Sequence, residues 1–365
     1  MLAHDGSVWG AGVNTYGQLG MNGGVQSNLV KLLLGDAKAV AAGGAHSMVL
    51  KQDGSVWSAG KNSYGQLGDG STSDRHRFMQ VLPSHTKAVA MAAGAQHSLV
   101  VMQDGSVWVT GFNKYGQLGD GSTSHRNIFF QVISSGAESV ATGRRHSMVM
   151  KQDGSVWATG ENESGQLGDG SNELGTSFVQ VIFSGAKAIT AGSRHSLVLM
   201  KDGSVLATGE NEHGQIGAGS AHSTVNFEQV ISSRVTAIAA GYDHSMVLEH
   251  DGSVWATGEN KFGQLGHGPS AYQNTFSQVI SNGIKVMAAG GWHSMAISHD
   301  GIFWVTGSNL YGQLGDGSKI DKKAYARMSP SRHSTFCNVL GVCSVCSSTK
   351  ILKPTCRGCS GMRRD

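Results

Sequence analysis

Short runs of β-prone residues alternate along this chain with Gly-rich polar stretches, and they do so in a fixed order. From His46 the sequence reads HSMVLKQDGSVWSAG, two apolar runs flanking Asp53-Gly54. Asp-Gly tolerates the positive φ angles of a tight reversal, so the segment predicts a β-hairpin with a two-residue turn. Before it, runs such as Ala39 to Gly43 (AVAAG) put Ala and Gly where a strand must approach other backbones closely, as at the crowded axis of a radial array. After it, F-x-Q-V segments such as Phe178 to Val181 and Phe276 to Val279 supply a fourth strand. No helical periodicity interrupts the series.

The series repeats. Asp-Gly recurs at Asp5, Asp53, Asp104, Asp153, Asp202, Asp251 and Asp300, with spacings of 48, 51, 49, 49, 49 and 49 residues. Four strands per unit of about 49 residues predict an all-β, seven-bladed β-propeller and exclude a helical solenoid. The propeller is expected over residues 1–318, with residues 319–365 as a separate tail.

The recurring pattern G-x-N-x-x-GQLG-x-G, preceded by HS-x-V-L-x-x-DGSVW, resembles the repeat of the regulator of chromosome condensation family. The resemblance covers residues 1 to roughly 318 and implies seven blades closed by pairing of chain-end strands. Met1-Leu2 aligns with the end of an HSMVL strand, as at Val49-Leu50, so the first hairpin lacks an inner partner. Tyr325 to Met328 is a weak F-x-Q-V equivalent, but STFCNVLGVCSVC, near position 342, does not match an AVAAG and HSMVL pair. Two alternatives stay open: a degenerate closing blade, or a chain that is part of a longer propeller.

Composition narrows the class further. The chain has 53 Gly but only 4 Pro, and 15% charged residues, which excludes collagen and Pro-rich disorder. No run approaches the roughly 18 apolar residues of a membrane span, and the N-terminus carries no basic region followed by an apolar stretch. A soluble protein with no membrane association and a cytoplasmic or nuclear address is expected. Residues 319–365 hold 10 Lys and Arg against 2 Asp, so an acidic body carries a basic tail that would touch nucleic acid only without sequence preference. All five Cys lie in the tail, and Cys343, Cys346, Cys356 and Cys359 form two C-x-x-C knuckles. Four thiolates can hold a tetrahedral zinc, but the nine residues between the pairs are fewer than usual, so a basic thiol-bearing tail without metal is the other reading. No cofactor is expected elsewhere.

Within the repeat, His46, His97, His146, His195, His244 and His293 fall once per blade. A ring of His invites a metal, yet identity in every unit points to a repeated structural bond from imidazole to loop backbone. Trp9, Trp57, Trp108, Trp157, Trp255 and Trp304 read as core. A second variable set precedes GQLG, namely Tyr16, Tyr64, Tyr115, Ser164, His213, Phe262 and Tyr311, and its aromatic preference reads as packing between blades. The informative positions vary between fixed neighbours: the pairs before each His-Ser include Arg144-Arg145, Arg194, Tyr242-Asp243 and Trp292. Their Arg and aromatic content is that of binding hot spots, and the resemblance implies that this loop lies on a partner-binding face. Replacing Arg144, Arg145 and Arg194 by Ala is expected to leave folding intact and abolish partner capture.

Nothing suggests catalysis: there is no phosphate-binding GxxxxGK[ST] and no G-x-S-x-G elbow. The expectation is a non-catalytic protein-interaction propeller. The resemblance implies regulation of a small GTPase by exchange-factor action, which needs only differential affinity for the nucleotide-free form. The near-constant spacing leaves no room for the inserted wedge of the chromosome-bound exchange factor. An alternative is the substrate-recognition part of a ubiquitin ligase, with a ubiquitin-pathway partner. A light sensor like the plant ultraviolet-B photoreceptor would need several G-W-x-H motifs, and only Gly291-Trp292-His293 approaches one. Inhibition of a secreted enzyme, as by the β-lactamase inhibitory propeller, would need a secretion signal.

Overall fold

A computed structural model describes residues 1–328. It contains 26 β-strands and one short 3-10 turn. The first blade shows the plan: β3 (Ala37–Ala42), β4 (His46–Lys51), β5 (Val56–Gly60) and β6 (Arg75–Leu82) form an antiparallel meander from the axis outward. Five more four-stranded meanders follow over 88–133, 137–182, 186–231, 235–280 and 284–327. We number these six sheets blades 1 to 6. The AVAAG segments are the inner strands and the F-x-Q-V segments the outer ones, as the pattern predicts.

The blade count differs from the expected seven. Among the described residues six blades are complete, and the seventh sector is a two-stranded sheet of β1 (Val8–Gly12) and β2 (Gln26–Leu33). Met1 and Leu2 extend it, since Trp9 N donates to Met1 O at 2.8 Å and Leu2 bridges Val8. This sector nevertheless joins the ring. In every blade the Gly-rich loop after the third strand reaches the outer strand of the next, as in Gly121 N to Thr176 O and Gly170 N to Val225 O, both 2.9 Å. From blade 6, Gly317 N makes the same bond to Ser27 O at 2.9 Å, and Asp316 bridges Asn28. The zinc knuckles and the segment around position 342 lie outside the described residues.

The core is a series of layers between blades, each built from two faces. Met48, Leu50 and Val56 of blade 1 pack on Ala88, Met91 and Val100 of blade 2. Fully burying one such side chain is worth about 1.5–3 kcal/mol. Trp57, Trp108, Trp157, Trp255 and Trp304 pack against these layers, as the core reading expects, but as half-buried flanks. Trp57 donates from Nε1 to Ser55 Oγ at 3.1 Å and lies under Lys51, 4.3 Å from Nζ to the ring centre. The indole needs a partner for its N–H, so it sits where its edge reaches the turn.

The Asp-Gly turn is also longer than expected. Val56 pairs with Leu50 and Lys51 N donates to Ser55 O, leaving Gln52, Asp53 and Gly54 as a three-residue connection. Only Gly54 takes a positive φ, +85°. Asp53 instead accepts from Ser55 N at 2.8 Å, closing the turn through its carboxylate.

Candidate partner-binding face

One face of the disc carries the loop between the first and second strands of each blade and the start of the loop after the third strand. Both are fixed by the His ring beneath them. His97 Nε2 lies 2.9 Å from Ser147 Oγ of the next blade, and Ser147 Oγ donates onward to Gln117 O at 2.7 Å. The hydroxyl has one proton and gives it to the carbonyl, so the imidazole must donate from Nε2. The same chain runs His46–Ser98–Gln66, His146–Ser196–Gln166, His195–Ser245–Gln215 and His244–Ser294–Gln264. The repeated bond is structural, as expected, but its partner is the neighbouring blade's Ser rather than loop backbone. Burial pushes His97, His146, His195 and His244 down to about 3, so these rings are neutral. The Gly three residues before each His is fixed by space: a Cβ on Gly143 would stand 2.1 Å from His146 Cε1.

Above this layer each blade presents three variable positions. The two residues before the His are followed across the sheet by the residue after the third-strand Gly, whose N–H bonds back: Glu161 N to Arg145 O at 2.8 Å, Glu210 N to Arg194 O at 2.8 Å and Glu259 N to Asp243 O at 2.7 Å. The loops also join around the axis, through Ser193 N to Tyr242 O at 2.9 Å and Tyr242 N to Gly291 O at 3.0 Å.

This geometry places the sequence-predicted residues on one face but gives them different roles. Arg145 and Arg194 are tied into a charge network around Glu161, whose side chain is only 1% exposed. Arg145 Nη1 lies 3.0 Å from Glu161 Oε1 with its guanidinium 4.3 Å from the Tyr115 ring, and Arg194 reaches Glu161 at 3.8 Å and Glu210 at 3.5 Å. Removing both cations leaves the buried Glu161 carboxylate with a single long bond, from Gln166 Nε2 at 3.4 Å, so the triple Arg→Ala change, first expected to spare the fold, is now expected to cost about 3–5 kcal/mol. Arg144 is exposed and lines a cleft of about 260 Å³ with Lys61, Gln96 and Arg145.

Farther round, Tyr242 meets Trp292 edge-on with centroids 5.2 Å apart, and Phe262 lies 5.8 Å from Trp292. Asp243 sits beside them with its carboxyl pushed up to about 6 by burial and by the Glu259 and Glu210 charges. The aromatics before GQLG do bridge blades, as in Tyr64 against Phe112 at 4.8 Å, and they are also partly exposed on this face. Glu161, Glu210, Glu259, Leu310 and Ile320 were missed from the sequence. The three Glu carried the same signal as the Arg pairs, variation between a fixed Gly and a fixed Asn.

Among the described residues no group of three or more His, Cys, Asp or Glu is placed to hold a metal ion, and no helix is long and apolar enough to cross a membrane. The arrangement is a disc with one variable, charged and aromatic face on an invariant frame. That defines a β-propeller of the interaction type.

Comparison with known proteins makes the family definite. The model of the regulator of chromosome condensation (RCC1) repeat matches residues 5–50, 53–101, 104–150, 153–199, 202–248 and 251–297, and the chain belongs to this family. It is 34% identical over 131 residues to the probable E3 ubiquitin-protein ligase HERC4 of mouse, rat and human. That stretch spans 34% of this chain but only 12% of those relatives. Human WBSCR16 superposes with a TM-score of 0.82 at 20% identity, covering 95% of this chain and 99% of that one. Prp20p from Saccharomyces cerevisiae, in a structure described with its binding properties to Gsp1p and histones, gives 0.80 at 20% identity over 93% of this chain and 90% of its own. Likeness at that identity establishes the fold.

Proposed function

We propose that this chain is a non-catalytic recognition propeller that binds a protein partner through the variable face, and that the partner is a small GTPase whose nucleotide exchange it regulates. The observation that carries the reading is the contrast in variation: three positions per blade change from blade to blade on one face, with Glu kept at one of them in blades 3 to 5, while the His, Ser, Gly and Asn residues next to them are fixed by bonds within and between blades. A propeller of this family, Prp20p, is described with binding to Gsp1p and histones, which supports a protein partner. A ubiquitin-pathway partner is the second reading, favoured by the 34% identity to HERC4. A cytoplasmic or nuclear address belongs to the same proposal.

The test is affinity capture from native lysate with the intact chain and an Arg144→Ala, Trp292→Ala variant, which removes exposed side chains and spares the Glu161 network. A GTPase held only by the intact chain, with accelerated nucleotide release in a purified assay, supports exchange regulation. A ubiquitin-pathway protein supports the second reading. Identical eluates from both proteins refute binding through this face.

A further inference from the structure

Resting on that reading, we propose that the corner between blades 5 and 6 is a docking cleft for an extended segment of a partner protein in which an Arg or Lys stands beside a large apolar residue. The cleft, about 620 Å³, is walled by Phe262, Trp292, Leu310, Tyr311 and Ile320. Four of these are open to solvent, Trp292 by 42%, Tyr311 by 49%, Leu310 by 62% and Ile320 by 70%. Other large apolar residues are exposed singly on or just after the outer strands, such as Leu34, Ile128 and Phe183, but here four surround one concavity, which marks a contact surface.

Charge selects the occupant. Beside the cleft wall, Glu259 accepts from Nε2 of Gln264, two residues from Phe262, at 3.1 Å, and Glu259 and Glu210 both act on Asp243. Asp243 follows Tyr242 in sequence, and Tyr242 packs against Trp292, so the acids and the aromatic wall share one edge. The positive groups that face Asp243 are Arg144 and His213, while Glu259 and Glu210 oppose its ionisation and burial opposes it more. Net negative charge therefore collects beside an aromatic wall. A guanidinium or ammonium there gains from the carboxylates and from the ring faces together, while its apolar neighbour fills the cleft. Lys319 and Asp321, of opposite charge, line the cleft as well, and Lys261 lies 5.8 Å from the Phe262 ring centre.

Random twelve-residue peptides displayed on phage, selected on the full chain, test this. Peptides with Arg or Lys within two positions of Leu, Phe or Trp should be enriched, and their binding should weaken at least tenfold in Trp292→Ala and again in the Asp243→Asn, Glu259→Gln pair. Lys187→Ala, on an exposed side chain at the other end of the inner strand, should leave binding unchanged, and thermal melting checks that each variant is folded. An acidic or uncharged consensus, the absence of any enriched peptide, or equal binding by Trp292→Ala overturns the assignment. Peptides kept by Trp292→Ala but lost on Arg144→Ala overturn it too, while leaving the variable face as the interaction surface.

Discussion

Asp243 gives the most exacting test of the electrostatics of this face. Its carboxyl titrates at about 6 in the fold against an ordinary 3.8, first because it is buried, then because Glu259 and Glu210 stand near, with His213 and Arg144 only partly offsetting them. The folded state therefore holds the Asp243 proton more tightly than the unfolded chain does. Above pH 6 the ionised group costs stability, and the cost is relieved as pH falls from 6 toward 3.8. At 1.36 kcal/mol per pH unit the full difference is about 3 kcal/mol, which partial exposure to solvent lowers to about 1–3 kcal/mol. Asp243→Asn removes the charge at constant shape, so it should stabilise the protein by that amount at pH 8. The gain should shrink through pH 6 and vanish near pH 4. Urea unfolding of both proteins followed by Trp fluorescence at pH 8, 6 and 4 measures the difference, in which titrating groups not coupled to Asp243 cancel. A less stable Asp243→Asn protein at pH 8, or a gain that does not change with pH, refutes the reasoning.

Three further outcomes follow from the frame. Ser147→Ala leaves the His97 Nε2–H and the Gln117 carbonyl buried without a partner, and should cost about 2–4 kcal/mol in urea unfolding, well above a Ser→Ala change at the exposed Ser184. Burial holds four imidazoles at about 3, below the ordinary 6.5, so the unfolded chain binds protons that the fold refuses; stability should fall steadily as pH drops from 6.5 toward 3, and urea midpoints at pH 7, 5 and 4 measure it. Arg145→Ala with Arg194→Ala should lower stability by about 3–5 kcal/mol, and adding Glu161→Gln should restore most of it, read by thermal melting of the three proteins.

The fold was legible because the repeat is nearly constant: spacing, hairpin position and the order of inner and outer strands all follow from it. Its details were not. Whether Asp53-Gly54 closes with two residues or three depends on where Lys51 finds its partner, and Asp53 gains more by accepting from Ser55 than by adopting a positive φ. The His-Ser dipeptide contains both halves of the latch, but the two halves belong to different bonds. His97 reaches Ser147, fifty residues on, and only the ring brings them together. At the site, the variable pairs before each His pointed to the right face. The pairing of Arg145 and Arg194 with Glu161 was hidden, because an acid flanked by Gly and Asn reads as solvated until a neighbouring blade covers it. The aromatic corner was half visible in Trp292, whereas Leu310 and Ile320 sit in a loop whose sequence looks like any other turn.

The variable residues abut the latch so closely that Arg145 and His146 are successive residues, one on the variable face and the other locked between blades. Surface identity and mechanical cohesion are thus separated by a single peptide bond, repeated around the disc. A new recognition surface can be written onto this ring three positions at a time, in any sector, without repacking a layer below it. The exception is wherever a written charge has already been answered from the adjoining blade, as at Glu161. There the text must be changed in pairs, and the sector with the most such pairs is the one in which specificity will be slowest to drift.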